Sequence, residues 1–68
     1  MEFKWEEGFS ISVRCEGGQV VISANKAGLL SLANHLKALA EESPGGHFHL
    51  DQNNSLEEGS IELVVEKS

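Results

Sequence analysis

Apolar and polar residues alternate along the segment that runs from Phe9 to Cys15. Successive side chains of a β-strand point to opposite faces, so this pattern predicts a half-buried antiparallel strand. The polar positions are Ser10, Ser12 and Arg14, and the apolar positions are Phe9, Ile11, Val13 and Cys15. Cys15 lies on the apolar side, which predicts a small buried core residue rather than a nucleophile.

A second alternating segment, Gln19 to Ala24, follows the first after a predicted turn over Glu16 to Gln19, which contains Gly17 and Gly18. Glycine tolerates the positive φ that tight hairpin turns require, so the two segments are predicted to form a β-hairpin. The positions predicted to face inward on the second strand are Val20, Ile22 and Ala24.

A weaker alternation precedes both strands, where Phe3 and Trp5 are separated by Lys4. The pattern predicts a short first strand that ends before Gly8. For Trp5 the sequence favours a core position, with an interface anchor near an edge strand as the alternative.

The period changes at Asn25, where apolar residues begin to recur every three or four positions. Asn25 is a good N-cap, and a helix is predicted from Lys26 to Glu42, ended by Pro44 and the glycines that follow it. His35 lies at the edge of the apolar stripe and is predicted to reach water. The stripe itself consists of Leu29, Leu32, Ala33, Leu36, Leu39 and Ala40.

Two further strands are predicted after the helix, separated by a polar loop over Gln52 to Gly59. The first strand covers His47 to Asp51, with Phe48 and Leu50 facing inward. The second covers Ser60 to Glu66. Its inward residues are Ile61, Leu63 and Val65, and Val64 is an apolar exception on the outer face. The order β-β-β-α-β-β predicts an α+β fold in which one helix packs on one face of a single, mostly antiparallel sheet.

The length of 68 residues predicts one small domain over residues 1–68. Eleven acidic and five basic residues give a net charge of −6, which argues against a nucleic-acid partner because phosphate binding needs clustered Lys and Arg. The apolar runs are too short for a membrane span. The one cysteine cannot form an internal disulfide, so a cytoplasmic protein is expected. Homodimerisation is one way for so small a core to bury more apolar surface.

His47, His49 and Asp51 lie on one face of a predicted strand, and two imidazoles with a carboxylate are ligands that zinc or iron can use. Same-face side chains on a strand are about 7 Å apart, which is too wide for three to share one ion without bending. A solvated polar face is the preferred interpretation. The chain offers no catalytic triad or phosphate-binding loop, so neither an enzyme nor a cofactor is expected.

Acidic residues are concentrated in the second half of the chain. The range 38–66 contains seven acidic residues and no Lys or Arg. Such a distribution produces a negative field that attracts cationic partners, although acidic surfaces also simply keep small proteins soluble. Charge alone does not decide between these interpretations.

The chain resembles family thirty-two of the immunity proteins of bacterial polymorphic toxin systems. The resemblance runs from about Val20 to Glu66 and rests on three stretches. One is the helix entry that contains Asn25, Gly28 and Leu29; another is the strand from His47 to Asp51; the last is the strand that begins at Ser60.

This resemblance implies a protein that binds a cognate toxin and blocks its active site or an adjacent surface. Because many such toxins act on nucleic acids, a nuclease with a cationic site is one expectation. The predicted contact residues are Asp51, Glu57, Glu58 and Glu62, with His47 and His49 as polar contacts. Two alternatives stay open: a homodimeric structural or regulatory module paired through its outer sheet face or an edge strand, and a weak metal-binding protein.

Overall fold

The computed structural model describes residues 2–68. Five elements follow one another along the chain, and the predicted α+β class is confirmed. They are strand β1 (Ile11–Glu16), strand β2 (Gln19–Ala24), helix α1 (Lys26–Ala40), strand β3 (His47–Leu50) and strand β4 (Leu63–Glu66).

Strands β1 and β2 form the predicted hairpin, with Glu16 opposite Gln19 and Ile11 opposite Ala24. Gly17 and Gly18 form the turn with φ angles of 54° and 81°, a backbone conformation that residues with a Cβ rarely adopt. The turn and the bounds of β2 are therefore as predicted.

Strands β3 and β4 form a second antiparallel pair, in which Phe48 lies opposite Val65 and Leu50 opposite Leu63. Beyond the strand ends, the Gly45 amide donates to the Lys67 carbonyl at 2.8 Å. Within residues 2–68 the strands thus form two separate two-stranded sheets, and the prediction of one continuous sheet is wrong.

The two hairpins are joined by the irregular segment that leads into β4. The Glu57 amide donates to the Ile11 carbonyl at 2.9 Å, and the Ile61 amide donates to the Val13 carbonyl at 2.9 Å. The Val13 amide, however, donates to the hydroxyl of Ser60 at 3.1 Å rather than to a carbonyl. Because a side-chain hydroxyl takes the place of a backbone carbonyl as the acceptor, the hydrogen bonds between this segment and β1 do not form a regular β-ladder. Strand β4 accordingly begins only at Leu63, and Ile61, which was predicted to face inward, is 41% exposed.

The short strand predicted around Phe3 and Trp5 is absent from the described part of the chain. The backbone of this N-terminal segment bonds to side chains of α1 instead of to a strand. The Glu6 amide donates to the Ser31 hydroxyl at 2.8 Å, and the Asn34 side chain donates to the Lys4 carbonyl at 3.2 Å. These contacts place the segment across the helix.

Asn25 caps α1 as predicted and also fastens the helix to β1. Its side-chain oxygen accepts hydrogen bonds from the amides of Gly28 at 2.8 Å and Ser10 at 3.0 Å. Gly28 lies so close to β1 that a Cβ there would be 2.5 Å from the Ser10 carbonyl oxygen. Asn25 and Gly28 therefore set both the start and the rotation of the helix.

The buried face of α1 differs from the predicted leucine stripe. Leu29 and Leu36 are 55% and 50% exposed, and Ala40 is also exposed. The residues that face the core are Gly28, Ser31, His35 and Leu39. His35, predicted to reach water, is fully buried, because the N-terminal segment covers it with Phe3 and Trp5.

The core lies between α1, the base of the first hairpin and the second hairpin. Its buried members are Ile11, Val13, Leu39, Phe48, Leu50 and Leu56. Cys15, Val20 and Ile22 belong to the same hairpin face but are exposed, so their predicted burial is wrong. The hairpin extends past the core, and its tip leaves this face uncovered. No helix in residues 2–68 has the length and apolar character needed to cross a membrane.

Candidate functional site: an acidic interaction surface

The outer face of the second hairpin carries both candidate histidines. Phe48 and Leu50 face the core, so His47 and His49 point outward and are exposed. Their ring centroids are 5.0 Å apart. The residue opposite His47 on β4 is Glu66.

His49 also contacts Glu62, one of the predicted acidic contact residues. The His49 Nδ1 and Glu62 Oε2 atoms are 3.3 Å apart, which makes an ion pair whenever the imidazole is protonated. Both side chains are about half exposed, at 50% and 55%. Pairs this exposed contribute at most about 1 kcal/mol to stability, so both groups remain available to a partner.

Asp51 organises the loop that follows β3. Its Oδ1 accepts hydrogen bonds from the amides of Asn53 at 2.9 Å and Asn54 at 3.1 Å. In return, the Asn54 side-chain oxygen accepts from the Asp51 amide at 3.0 Å. Asp51 is half-buried and therefore has a local structural role, whatever else it contacts.

Glu57 and Glu58 lie in the same loop, and both side chains are exposed. Glu57 Oε1 accepts a hydrogen bond of 3.3 Å from the Ser10 hydroxyl. Glu58 lines a shallow, open depression together with Gln52 and Asn53. Leu56 anchors this loop, because its side chain is buried in the core. The sequence predicted only a polar loop here and no core residue.

The predicted site residues therefore fall into two groups. His47, His49 and Glu62 share contacts beside the outer face of β3 and β4. Asp51, Glu57 and Glu58 belong to the loop before β4. Exposed carboxylates in both groups can accept hydrogen bonds from ammonium and guanidinium groups.

A metal centre has no support from this arrangement. Within residues 2–68, no group of three or more His, Cys, Asp and Glu side chains is placed to hold a metal ion. One oxygen of the Asp51 carboxylate, Oδ1, already accepts hydrogen bonds from two amides of its own loop.

Lys67, the first basic residue after the acidic stretch, forms a hydrogen bond with the end of α1. The ammonium group of Lys67 donates to the Ala40 carbonyl at 2.6 Å, at the C-terminal end of α1. A cation at this end of a helix is favourable because the helix dipole is negative there. Lys67 thus stabilises the helix end and is held at the carbonyl of Ala40.

Apolar side chains near the acids complete the candidate surface. Val64, the apolar exception of the alternating pattern, is 49% exposed and lies opposite His49 on the outer face, as predicted. Ile61, next to Glu62, is 41% exposed. The sequence predicted Ile61 to face inward, so only Val64 could have been found from its position in the alternation.

A family model described as immunity protein 32 matches residues 19–68, which is more than half of the chain. The chain belongs to the immunity protein 32 family. The match confirms the resemblance seen in the sequence and covers all six predicted contact residues as well as Asn25 and Gly28. No curated protein and no solved structure matches the chain.

The match to the immunity protein 32 family model covers part of the folded chain. The match begins at Gln19, so it includes β2, α1, β3 and β4, whereas β1 and the N-terminal segment lie outside it. In the structure these outer parts supply Ile11 and Val13 to the core. The unmatched part therefore completes the hydrophobic core of the matched part.

Proposed function

We propose that this immunity protein is an antidote that binds a cognate toxin protein and neutralises it without catalysing a reaction. The acidic surface, made of Asp51, Glu57, Glu58, Glu62, His47 and His49, is the proposed contact region. Family membership supports the antidote role, since immunity proteins protect cells against toxins.

The exposure of Glu57, Glu58 and Glu62 is the observation that carries this proposal. These carboxylates belong to a stretch of 29 residues, 38–66, that contains no Lys or Arg to neutralise them. Two opposite charges 4 Å apart attract by about 1 kcal/mol in water and by about 4 kcal/mol near a protein surface. A cationic toxin surface would therefore associate rapidly and selectively with this region.

A toxin that acts on nucleic acid fits this chemistry best. Its substrate site must attract phosphate groups, so it must carry Lys or Arg side chains. The carboxylates of the acidic surface would occupy that site in place of phosphates. In this proposal the histidines add hydrogen bonds, and Val64 adds apolar contact area at the centre.

Co-expression with the product of the adjacent gene tests the antidote role directly. We expect the pair to restore growth to cells that the neighbouring product alone kills, and we expect the two proteins to purify together. Cells that die whether or not this chain is present would contradict the proposal.

Charge reversal tests the acidic surface. The double variant Glu57→Lys/Glu58→Lys should weaken toxin binding by about 10- to 100-fold at low salt, because rim and interface charges govern association. The loss should shrink as salt is added, since screening weakens the attraction that the wild type uses. Isothermal titration calorimetry over a salt series measures both effects.

The matched control is Glu2→Lys/Glu7→Lys, which changes two exposed glutamates outside the acidic stretch. Both double variants raise the net charge by four, from −6 to −2. The control should bind almost as the wild type does. Equal losses in the two variants would show that net charge matters and that the acidic surface does not.

A further inference from the structure

The outer edge of β2 carries backbone groups that have no partner. A two-residue turn makes its flanking residues a hydrogen-bonded pair, so Glu16 and Gln19 exchange backbone hydrogen bonds. Counting along β2, Val21 and Ser23 also direct their amide and carbonyl groups toward β1. The hydrogen bond of 3.1 Å from the Asn25 amide to the Ser10 carbonyl fits the same alternation, in which every second residue bonds toward β1.

The intervening residues Val20, Ile22 and Ala24 therefore direct their amide and carbonyl groups away from β1. Within residues 2–68, no backbone hydrogen bond joins these three residues to a segment beyond the hairpin. The edge is regular, because all six residues of β2 pair one-to-one with β1 and no bulge interrupts them.

This edge also lacks the devices that usually prevent edge-to-edge pairing. Natural proteins protect edge strands with charged side chains, prolines or bulges. The range 17–25 contains no charged residue and no proline. Val20 and Ile22 are 61% and 43% exposed, and they lie on the same hairpin face as the buried Val13. The apolar face of the hairpin thus continues to the edge without cover.

We propose that this edge pairs with the same edge of a second copy of the chain. The two β2 strands run antiparallel about a two-fold axis at Ile22, so that Ile22 faces its own counterpart and Val20 of one copy faces Ala24 of the other. In this register about six backbone hydrogen bonds form between groups that point outward in each copy. The two hairpins become one four-stranded antiparallel sheet.

Charge favours a second copy over a cationic partner at this edge. Two chains of net charge −6 repel each other over most of their surfaces, but the edge of β2 is neutral. Charged residues of opposite sign flank it: Glu16 at the hairpin tip, whose carboxylate also pairs with Arg14 of its own strand, and Lys26 at the start of α1. Antiparallel pairing brings the tip of one copy toward the helix start of the other, so these opposite charges approach twice.

The proposal is independent of toxin binding, because the residues of the acidic surface lie in β3 and in the loop between β3 and β4. An edge contact of this kind buries little area, and interfaces below about 1,200 Å² are weak and transient. Association is therefore expected at high micromolar concentration.

The first test uses the unaltered protein in a nuclear magnetic resonance dilution series from about 10 µM to 1 mM. The amide signals of Val20, Ile22 and Ala24 should shift and become more protected from hydrogen exchange as concentration rises. Val21, whose amide already bonds to β1, is the internal control and should gain little protection. Unchanged signals for the three outward amides at about 1 mM would overturn the proposal.

The second test compares Val20→Lys with Val64→Lys by sedimentation velocity. Both variants add one lysine at an exposed valine of a two-stranded sheet, but only Val20 is on the proposed edge. The wild type and Val64→Lys should move from the monomer mass toward twice that mass, whereas Val20→Lys should remain a monomer. Dimerisation of Val20→Lys equal to the wild type would overturn the proposal. Should that variant fail to fold, the dilution series decides alone.

Discussion

His35 and Ser31 are the two fully buried polar residues in the described part of the chain. The ring of His35 stacks on Phe3, with centroids 4.3 Å apart, and meets the edges or faces of Trp5 at 4.3 Å and Phe48 at 5.4 Å. Nδ1 lies 2.6 Å from the Ser31 carbonyl, which can only accept, so this nitrogen carries the proton. Among residues 2–68, Nε2 of His35 is buried without a hydrogen-bond partner.

Two substitutions separate the packing of this ring from its hydrogen bond. His35→Ala should lower the free energy of unfolding by about 3 kcal/mol, because it leaves a cavity between three aromatic rings. His35→Phe keeps a ring and removes the unpaired nitrogen, so we expect a loss of only about 1 kcal/mol. Urea denaturation measures both values. Equal losses would mean that the bond to Ser31 matters more than the packing.

At the scale of the elements, local signals in the sequence predict the hairpin turn, the bounds of β2 and the start of α1. Each depends on a few neighbouring residues, such as Gly17 and Gly18 in the turn or Asn25 at the helix cap. The rotation of α1 could not be predicted in this way. Hydrophobicity selects the side with Leu29 and Leu36, whereas the structure buries a neighbouring side of the helix, on which Leu39 is the one buried member of the predicted stripe.

Long-range contacts explain this difference. The close approach of Gly28 to β1 turns one side of the helix inward, and the N-terminal segment then covers His35 and bonds to Ser31. None of these contacts has a periodic signature. The candidate site was more accessible to prediction, because alternation alone shows that His47 and His49 point outward. The hydrogen bonds that hold Asp51 in its loop were not predictable from spacing.

Gly28→Ala tests whether the close approach sets the position of α1. Alanine favours a helix over glycine by about 1 kcal/mol, yet its Cβ would lie 2.5 Å from a backbone oxygen of Ser10 and 2.9 Å from Ile11. We expect a net loss of about 2 kcal/mol in unfolding free energy, because backbone must move. Leu30→Ala, at a 46% exposed helix position, is the control and should change stability by less than 1 kcal/mol or so. A stabilised Gly28→Ala protein would contradict this account.

At the scale of the whole molecule, the fold is a flat assembly of two hairpins and one covering helix. The extents are 32 × 29 × 19 Å, and the shortest is close to the thickness of one helix packed on one sheet layer. The hairpins do not share a ladder, so their alignment depends on the bonds that Glu57, Ser60 and Ile61 make to β1.

Ser60→Ala should weaken the connection between the hairpins. The substitution leaves the amide of the buried residue Val13 without its acceptor, which costs about 1–2 kcal/mol of unfolding free energy. Hydrogen exchange at the Val13 amide should also become faster. Ser43→Ala, at an exposed position, should change stability by less than about 0.5 kcal/mol. No difference between the two variants would show that the hydroxyl of Ser60 contributes nothing to the alignment.

The exposed tip of the first hairpin has a practical consequence. Cys15 is the one cysteine of the chain, its side chain is accessible, and it lies on β1 directly opposite Val20. A thiol-reactive fluorophore would therefore attach at a single known position, one strand away from the free edge and on the other hairpin from His47 and His49. The protein carries a built-in labelling site, from which a dye could report events at the edge of β2 and leave the acidic surface unmodified.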